Sequence, residues 1–345
     1  DKSNEVIVLV HGATFGSLAY EEYVNVEKFS LFSVCSKKFG YGHYNRIENL
    51  ISILEDKKKK FVHYSYGEKF RNKNHFFGRL KIEVNLGNNI VLDITNDLFL
   101  DLITISKIKK ILNEKKTNRI YIIDSPTKTN LSTILNLDYT KTLIPFEVDG
   151  EMKKKLSKIK KKKIGFEYFI YSNKNLKKRK KIYDITLSFG GSDNYEGTFY
   201  VLKLLDYLKI KKNIIVVIGK YFKGKYKKKI LHFCKQKKFK AKSFSKNFND
   251  ILNTSRLLIT NSGLTKYEGV AHSLPVIVFS DSKESQKIDK VFIKKTKQIH
   301  FSYLKKQQHD IIKLKSILQK KLKIKSVDKN INKSYMDKIK IFFKK

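Results

Sequence analysis

The chain has 345 residues, of which 41% are apolar, so it has ample material for a hydrophobic core and is not a disordered protein. Its formal net charge is +42, yet only six of the basic residues are arginines and 68 are lysines. This skew is typical of a low-GC coding bias, and it argues against specific nucleic-acid binding, for which arginine is the better ligand of phosphate and guanine. No run of about 18 uncharged apolar residues occurs, so no membrane span is expected.

Strand and helix patterns alternate through the first half of the chain. We interpret residues 29–165 as an N-terminal Rossmann-like domain, and residues 1–28 as an extension or the remnant of an upstream domain. Short β-type runs predict strands at 32–35, 60–65, 89–93 and 119–124, and apolar residues at helical spacing predict helices at 43–54 and 103–112.

The same alternation restarts after lysine-rich runs at 153–163 and 173–181, which are typical of solvated surface. We interpret residues 166–182 as an interdomain linker and residues 183–345 as a second Rossmann-like domain. The fold class predicted is therefore α/β, with two Rossmann-like domains that face each other across a cleft. The predicted strands are 184–189, 213–218, 257–260 and 275–279, and the predicted helices are 198–208, 225–235, 248–252, one ending at 271, 311–322 and 334–343.

The first motif is Phe39-Gly40-Tyr41-Gly42-His43-Tyr44-Asn45-Arg46, between a predicted strand and a predicted helix. Its two glycines permit a tight turn and a close approach of a ligand to the backbone. The dipole at the start of a helix disfavours a protonated imidazole, which suits His43 to the role of general base. A histidine that only caps or packs against the turn is the alternative.

The second motif is Leu187-Ser188-Phe189-Gly190-Gly191-Ser192-Asp193, a strand that runs into a glycine-rich turn before a helix. Exposed backbone N–H groups, the Ser192 hydroxyl and the positive end of the helix dipole favour an anion there, so the pattern predicts a phosphate site. An ordinary strand-to-helix turn is the alternative.

The third motif is Ile259-Thr260-Asn261-Ser262-Gly263-Leu264-Thr265-Lys266-Tyr267-Glu268, again a strand, a turn of small residues and a helix. The segment from Ser262 to Thr265 can present N–H and hydroxyl donors to phosphate. Glu268 could accept hydrogen bonds from two vicinal ribose hydroxyls, although in isolation its position is also that of a surface helix residue.

Together the three motifs resemble the PseG/SpsG family, the UDP-sugar hydrolases of pseudaminic acid biosynthesis and their spore-coat polysaccharide relatives. The resemblance is collinear from about 29 to 303. It rests on the G-x-G-H-x-x-R pattern of Gly40, Gly42, His43 and Arg46, on the G-G-S-D pattern of residues 190–193, and on the S-G-x-T-x-x-E pattern of Ser262, Gly263, Thr265 and Glu268. Where the family carries an acid shortly before the first motif, this chain reads Cys35-Ser36-Lys37-Lys38.

The resemblance implies the two-domain GT-B fold and cleavage of a UDP-activated amino or deoxy sugar at its anomeric carbon, in surface polysaccharide or nonulosonic (pseudaminic-type) acid biosynthesis. It is also compatible with fusion to, or partnership with, another sugar-biosynthesis domain upstream. His43 would be the catalytic base, and no metal or other cofactor would be needed. The implied substrate-binding residues are Gly40, Tyr41, Gly42, Arg46, Gly190, Gly191, Ser192, Asp193, Asn261, Ser262, Gly263, Leu264, Thr265 and Glu268.

Two alternatives stay open. The same site would serve an inverting glycosyltransferase, in which a sugar or lipid hydroxyl replaces water. A non-catalytic protein that binds nucleotide sugars or polyanions is the alternative from another class, and a basic surface could also draw in an anionic substrate. Because Cys35 and Cys234 are too few for a disulfide framework and lack metal-ligand spacing, a reducing, cytoplasmic location is expected.

Overall fold

Two six-stranded sheets, both entirely parallel, organise the computed structural model of the chain. The prediction for residues 1–28 falls almost wholly outside the residues described. These are 26–36, 38–95, 98–114, 119–124, 137, 139–210, 212–243, 248–301, 308–319 and 331–344.

The N-terminal sheet has the strand order β2-β1-β3-β4-β5-β6. Its strands are β1 (Glu27–Val34), β2 (Lys59–Tyr66), β3 (Asn89–Thr95), β4 (Ile120–Asp124), β5 (Lys141–Ile144) and β6 (Lys162–Ile164). Its helices are α1 (Gly42–Leu54), α2 (Lys73–Asn85), α3 (Leu102–Asn113) and α4 (Gly150–Leu156). Because helices cover both faces of the sheet, strand β4 is buried at every residue, as expected for a parallel sheet.

The C-terminal sheet repeats this plan with the order β12-β11-β10-β7-β8-β9. Its strands are β7 (Ile185–Ser188), β8 (Ile214–Ile218), β9 (Lys240–Ser243), β10 (Leu258–Asn261), β11 (Val276–Phe279) and β12 (Ile299–Phe301). The helices that follow α4 are α5 (Gly197–Tyr207), α6 (Gly224–Gln236), α7 (Phe248–Asn253), α8 (Thr265–Ala271), α9 (Lys283–Thr296), α10 (Gln308–Gln319) and α11 (Ile331–Phe342).

Each sheet has a topological switch point, at which the chain stops adding strands on one side of the first strand and adds them on its other side. In the N-terminal sheet β1 lies between β2 and β3, and in the C-terminal sheet β7 lies between β8 and β10. Crevices form at the carboxyl ends of strands at such switch points, and ligands of open α/β sheets bind there. The first motif follows β1, the second follows β7 and the third follows β10, so all three lie at switch points.

The prediction of two Rossmann-like sheets is confirmed, but several elements have no clear sequence pattern. Strands β6 and β9 lie at sheet edges and read Lys-Lys-Ile and Lys-Ala-Lys-Ser, so they lack an apolar run. Lysines on edge strands oppose pairing with other chains, which explains the composition. Helices α2 and α9 are also absent from the predicted elements, as are α4, β5 and β12.

The last helix crosses back to the N-terminal sheet. Ile339, Phe342 and Phe343 are buried in the same core as Phe29 of β1, and the ring centroids of Phe343 and Tyr121 are 4.8 Å apart. The predicted C-terminal domain, 183–345, includes this helix, whereas its buried side chains contact the N-terminal core.

Candidate functional site

A buried group of three ionisable side chains lies beside the start of α1. Gly40 adopts a φ of +74°, which turns the chain so that α1 begins at Gly42 and His43 lies in its first turn. The imidazole Nδ1 of His43 lies 2.8 Å from Oδ1 of Asp93 on β3. His43 is 9% exposed and Asp93 is fully buried.

Arg46, one turn further along α1, completes this group. It donates from Nε to Oδ2 of Asp93 at 2.7 Å and from Nη2 to Oδ1 at 2.6 Å. Burial by itself would raise the pKa of Asp93, but the charges of Arg46 and His43 and their hydrogen bonds outweigh it and hold that pKa below its ordinary value. Asp93 is therefore ionised near neutral pH.

The ionised carboxylate determines the state of the histidine ring. Nη2 of Arg46 also lies 3.1 Å from this Nδ1, but the contact with Asp93 is shorter. Because a carboxylate only accepts hydrogen bonds, we assign the proton to Nδ1, which donates a hydrogen bond to Asp93. When the ring is neutral, this tautomer leaves its lone pair on Nε2. An imidazole held in one orientation with a free lone pair is suited to accept a proton from a hydroxyl group.

Asp93 is absent from the residues that sequence reasoning assigned to the site. The available indication was its position at the end of the predicted strand 89–93. The observed strand continues to Thr95, and its pairing with β4 shifts between Leu92 and Thr95, where Asp93 lies. Such irregularities re-aim side chains. Asp93 thus supplies the imidazole with a carboxylate partner. The segment just before the first motif, where the PseG/SpsG family carries an acid, has Cys35 in this chain.

The second motif forms a tight turn after β7. Gly190 has a φ of +72°, and a Cβ atom on Gly219 of the neighbouring β8 turn would lie 2.3 Å from the carbonyl oxygen of Gly190. The two turns are therefore in direct backbone contact, which fixes the position of Gly190 and Gly191. Ser192 lines a small open pocket together with Asn194, Asn261 and Asp281.

Asp193 joins this turn to the start of α5 through hydrogen bonds. Its carboxylate accepts hydrogen bonds from the backbone N–H of Gly197 and of Thr198, each at 2.8 Å, and from the hydroxyl of Tyr226 at 2.7 Å. Asp193 is buried, with a φ of +42°. Asp193, predicted to bind substrate, therefore stabilises the first turn of α5 in this structure.

The third motif is fastened to α9 through a buried ion pair. Lys266 is 1% exposed, and its Nζ lies 2.5 Å from Oδ1 of the fully buried Asp289. The hydroxyls of Ser262 and Ser280 donate to the other carboxylate oxygen, at 2.5 and 2.7 Å. Ser262 therefore acts on the turn through Asp289, whereas Gly263 is exposed at the tip of the turn.

Glu268 lies in the first turn of α8. Burial raises the pKa of its carboxyl to about 7, and a hydrogen bond with Thr265 opposes this rise. Its charge therefore depends on pH in the neutral range.

Contacts between the two halves bring the first and third motifs face to face. A Cβ atom on Gly42 would lie 2.9 Å from Cδ1 of Leu264. The ring of Phe146, over which the Arg46 guanidinium lies, packs on Tyr267 of the other half, with ring centroids 5.7 Å apart, and the backbone N–H of Glu147 donates to the Tyr267 hydroxyl at 3.4 Å. The start of α1, which carries His43, is therefore in contact with the turn of the third motif.

Two kinds of feature are absent from the described part of the chain. No cluster of three or more His, Cys, Asp or Glu side chains has the geometry to hold a metal ion there. Among the same residues, no helix has the length and apolar character needed to cross a membrane.

Solved structures with the same architecture include HepE from Anabaena in complex with UDP-glucose. The two chains superpose with a TM-score of 0.63 at 10% identity, over 91% of this chain and 97% of the other. This chain has the GT-B fold. Acinetobacter baumannii MurG is similar over 91% of this chain and 95% of its own, with a TM-score of 0.51 at 11% identity.

A third structure with this fold is a putative UDP-N-acetylglucosamine 2-epimerase from Listeria monocytogenes. It has a TM-score of 0.50 at 12% identity and covers 89% of this chain and 94% of its own. At such identities the likeness establishes the fold and leaves the activity of this chain to be argued from its own residues.

Sequence comparison also gives a partial relative. The uncharacterized protein MJ1062 of Methanocaldococcus jannaschii is 28% identical over 130 residues, which span 37% of this chain and 27% of that protein. No protein-family model matches the chain. Membership of the PseG/SpsG family stays a prediction.

Proposed function

We propose that this protein cleaves a UDP-sugar at the anomeric carbon and releases UDP. The observation that carries the proposal is the His43–Asp93–Arg46 group, which lies at a switch point of the N-terminal sheet and opposite the third motif. Solved proteins with the same fold include HepE, described with UDP-glucose, which supports a UDP-sugar as the substrate class.

In the proposed reaction the C-terminal half holds the nucleotide. Backbone N–H groups of the turns at 190–192 and 262–265 would bind the diphosphate and stabilise the negative charge that develops on it as it leaves. The Glu268 carboxylate would accept hydrogen bonds from the ribose hydroxyls. These roles need donors fixed in advance, and the contacts of Asp193 and of Asp289 supply that rigidity.

His43 would act on the opposite side of the sugar. Its Nε2 takes a proton from water as the water oxygen forms a bond to the anomeric carbon, and the bond from that carbon to the UDP oxygen breaks with its electron pair. Asp93 stabilises the imidazolium that results, and the proton then passes to solvent. A single displacement of this kind inverts the anomeric configuration. Arg46 keeps Asp93 ionised throughout.

Hydrolysis is the form of the reaction that we favour on the resemblance to the PseG/SpsG family, and the same resemblance suggests a role in nonulosonic acid or surface polysaccharide biosynthesis in the cytoplasm. A glycosyltransferase is the second candidate, because the geometry at His43 would activate a sugar hydroxyl as readily as water.

Incubation with a panel of UDP- and CMP-sugars, with and without glycan acceptors, tests the proposal. We expect UDP release from a UDP-sugar without acceptor and no release from CMP-sugars. Release that requires an acceptor would identify a transferase. No release from any UDP-sugar under either condition would contradict the proposed function.

A further inference from the structure

A lysine of the C-terminal half reaches across the cleft to the first motif. Nζ of Lys220 donates to the hydroxyl of Tyr41 at 2.7 Å and lies 3.4 Å from Oε1 of Glu68, to which Tyr41 also donates. The same ammonium lies over the Tyr41 ring, 4.0 Å from its centroid. None of the three motifs includes Lys220 or Glu68.

The backbone of Lys220 is fixed against the second motif. The backbone N–H of Tyr221 donates to the carbonyl oxygen of Gly191 at 2.9 Å, and Gly219 packs so closely on Gly190 and Gly191 that no side chain fits there. The ammonium of Lys220 therefore projects from the turn that supports the proposed diphosphate site and points towards the first motif.

The bond between Lys220 and Glu68 can exchange for another anion. Both side chains are solvent-exposed, at 47% and 38%, and an exposed ion pair contributes little to stability. The hydrogen bond from Tyr41 together with the charge of Lys220 outweighs partial desolvation and lowers the pKa of Glu68, so its carboxylate is ionised. A diphosphate carries more negative charge and more acceptor oxygens than one carboxylate, so it competes well for an ammonium.

We propose that Lys220 is a diphosphate ligand of the nucleotide site and that Glu68 competes with the phosphate for it. This role rests on the proposed function and deepens it, because it assigns a cation to the departing UDP. Lys220 would neutralise charge on UDP while Tyr41 keeps the ammonium positioned between the two halves.

Calorimetric titration with UDP and with uridine tests this role, because uridine lacks the phosphates. We expect Lys220→Met to weaken UDP binding by about tenfold or more, the effect of losing a hydrogen bond to a charged group, and to leave uridine binding unchanged. Lys220→Arg should restore most of the UDP affinity. The matched control is Lys228→Met, an exposed lysine on α6 whose loss changes the net charge equally.

Glu68→Gln tests the competition separately. The amide still accepts from Tyr41 but no longer holds Lys220 by charge, so UDP should bind several-fold more tightly and uridine equally well. The proposal is overturned by unchanged UDP affinity in Lys220→Met, by a loss that uridine shares, or by unchanged or weaker UDP binding in Glu68→Gln. A wild-type protein that binds neither UDP nor uridine would overturn the proposed function as well.

Discussion

At the scale of single residues, Asp93 links the stability of the protein to the state of its proposed base. It is fully buried, it accepts two hydrogen bonds from Arg46, and it contacts Nδ1 of His43. Removing one member of such a buried pair leaves an uncompensated charge, which is costlier than losing a surface ion pair. The same carboxylate thus serves the fold and the orientation of the imidazole.

Asp93→Asn should lower the free energy of unfolding by about 3–5 kcal/mol at neutral pH, because Arg46 is left buried without its counter-charge. The pKa of Asp93 is depressed below its ordinary value of 3.8, so its contribution is complete above about pH 4 and is lost as the pH falls through the lower, folded-state pKa. Urea unfolding between pH 7 and pH 3 measures the difference in the free energy of unfolding between wild type and variant, and this difference should become smaller at acid pH. Asp56→Asn, at an exposed position, is the control. A difference in unfolding free energy that stays constant with pH would contradict an ionised, paired Asp93.

Glu268 should make nucleoside binding depend on pH. The pKa of its carboxyl is raised to about 7, and only the ionised form accepts hydrogen bonds from both ribose hydroxyls. Uridine affinity should therefore rise between pH 6 and pH 8 in the wild type and be flat in Glu268→Gln. Glu268→Ala should weaken UDP binding by about 1–3 kcal/mol. Calorimetry measures both, and uridine is the better probe of pH because it carries no phosphate. Equal pH profiles for wild type and Glu268→Gln would exclude the ribose role.

The raised pKa of Glu268 also makes stability depend on pH, but stability falls as the pH rises whereas uridine affinity increases. The folded-state pKa of Glu268 lies above the ordinary value of 4.5, so the folded protein binds a proton that the unfolded chain has lost. The contribution of Glu268 to stability is complete below about pH 4.5 and falls as the pH rises to about 7. An increase in stability on raising the pH through that range could not come from this group.

At the scale of elements, the crossing of α11 to the N-terminal sheet joins the two ends of the described chain. Phe343 is 1% exposed and packs on Tyr121, whereas Ile341 on the same segment is 65% exposed. The end of the chain therefore contributes to the core beneath β1, the strand that leads to the first motif.

Phe343→Ala should destabilise the N-terminal half by about 3–5 kcal/mol, because it removes a buried aromatic ring and leaves a cavity. Ile341→Ala is the matched control and should change stability little. Urea unfolding followed by tyrosine fluorescence measures both. Equal effects of the two substitutions would show that α11 does not dock on this core.

Local sequence predicts the buried strands well, but it does not predict the edge strands or the contacts between distant residues. Strands β4 and β8 are short apolar runs, so residues 119–124 and 213–218 predict them almost to the residue. Lysine-rich β6 and β9 carry no such run, because an edge strand is only partly buried. The pairing of His43 with Asp93 depends on β1 and β3 being neighbours, a long-range contact over 50 residues that no local pattern encodes. Glycines and polar residues after strands did indicate the three turns, since those positions are local.

At the scale of the whole molecule, the charge of +42 requires an explanation independent of the site. If the lysine excess is a coding bias, duplex DNA should bind with a dissociation constant on the order of 10⁻⁴–10⁻⁶ M at physiological salt, with a steep loss of affinity as salt is added. Fluorescence anisotropy with two unrelated duplexes measures this. Nanomolar binding that distinguishes the two duplexes would favour a nucleic-acid-binding protein over the proposed enzyme.

The two halves meet where Gly42, at the start of α1, contacts Leu264 of the third motif. The central claim is that a nucleotide sugar is cleaved between the two halves. UDP release per folded molecule by wild type and His43→Gln tests it most directly, with His232→Gln on the exposed face of α6 as the control. We expect His43→Gln, whose amide can still donate to Asp93, to lower turnover by about 10²–10⁴-fold, the usual contribution of a general base, with UDP affinity nearly unchanged. A variant that releases UDP at the wild-type rate would contradict the account, even though the GT-B fold would stand.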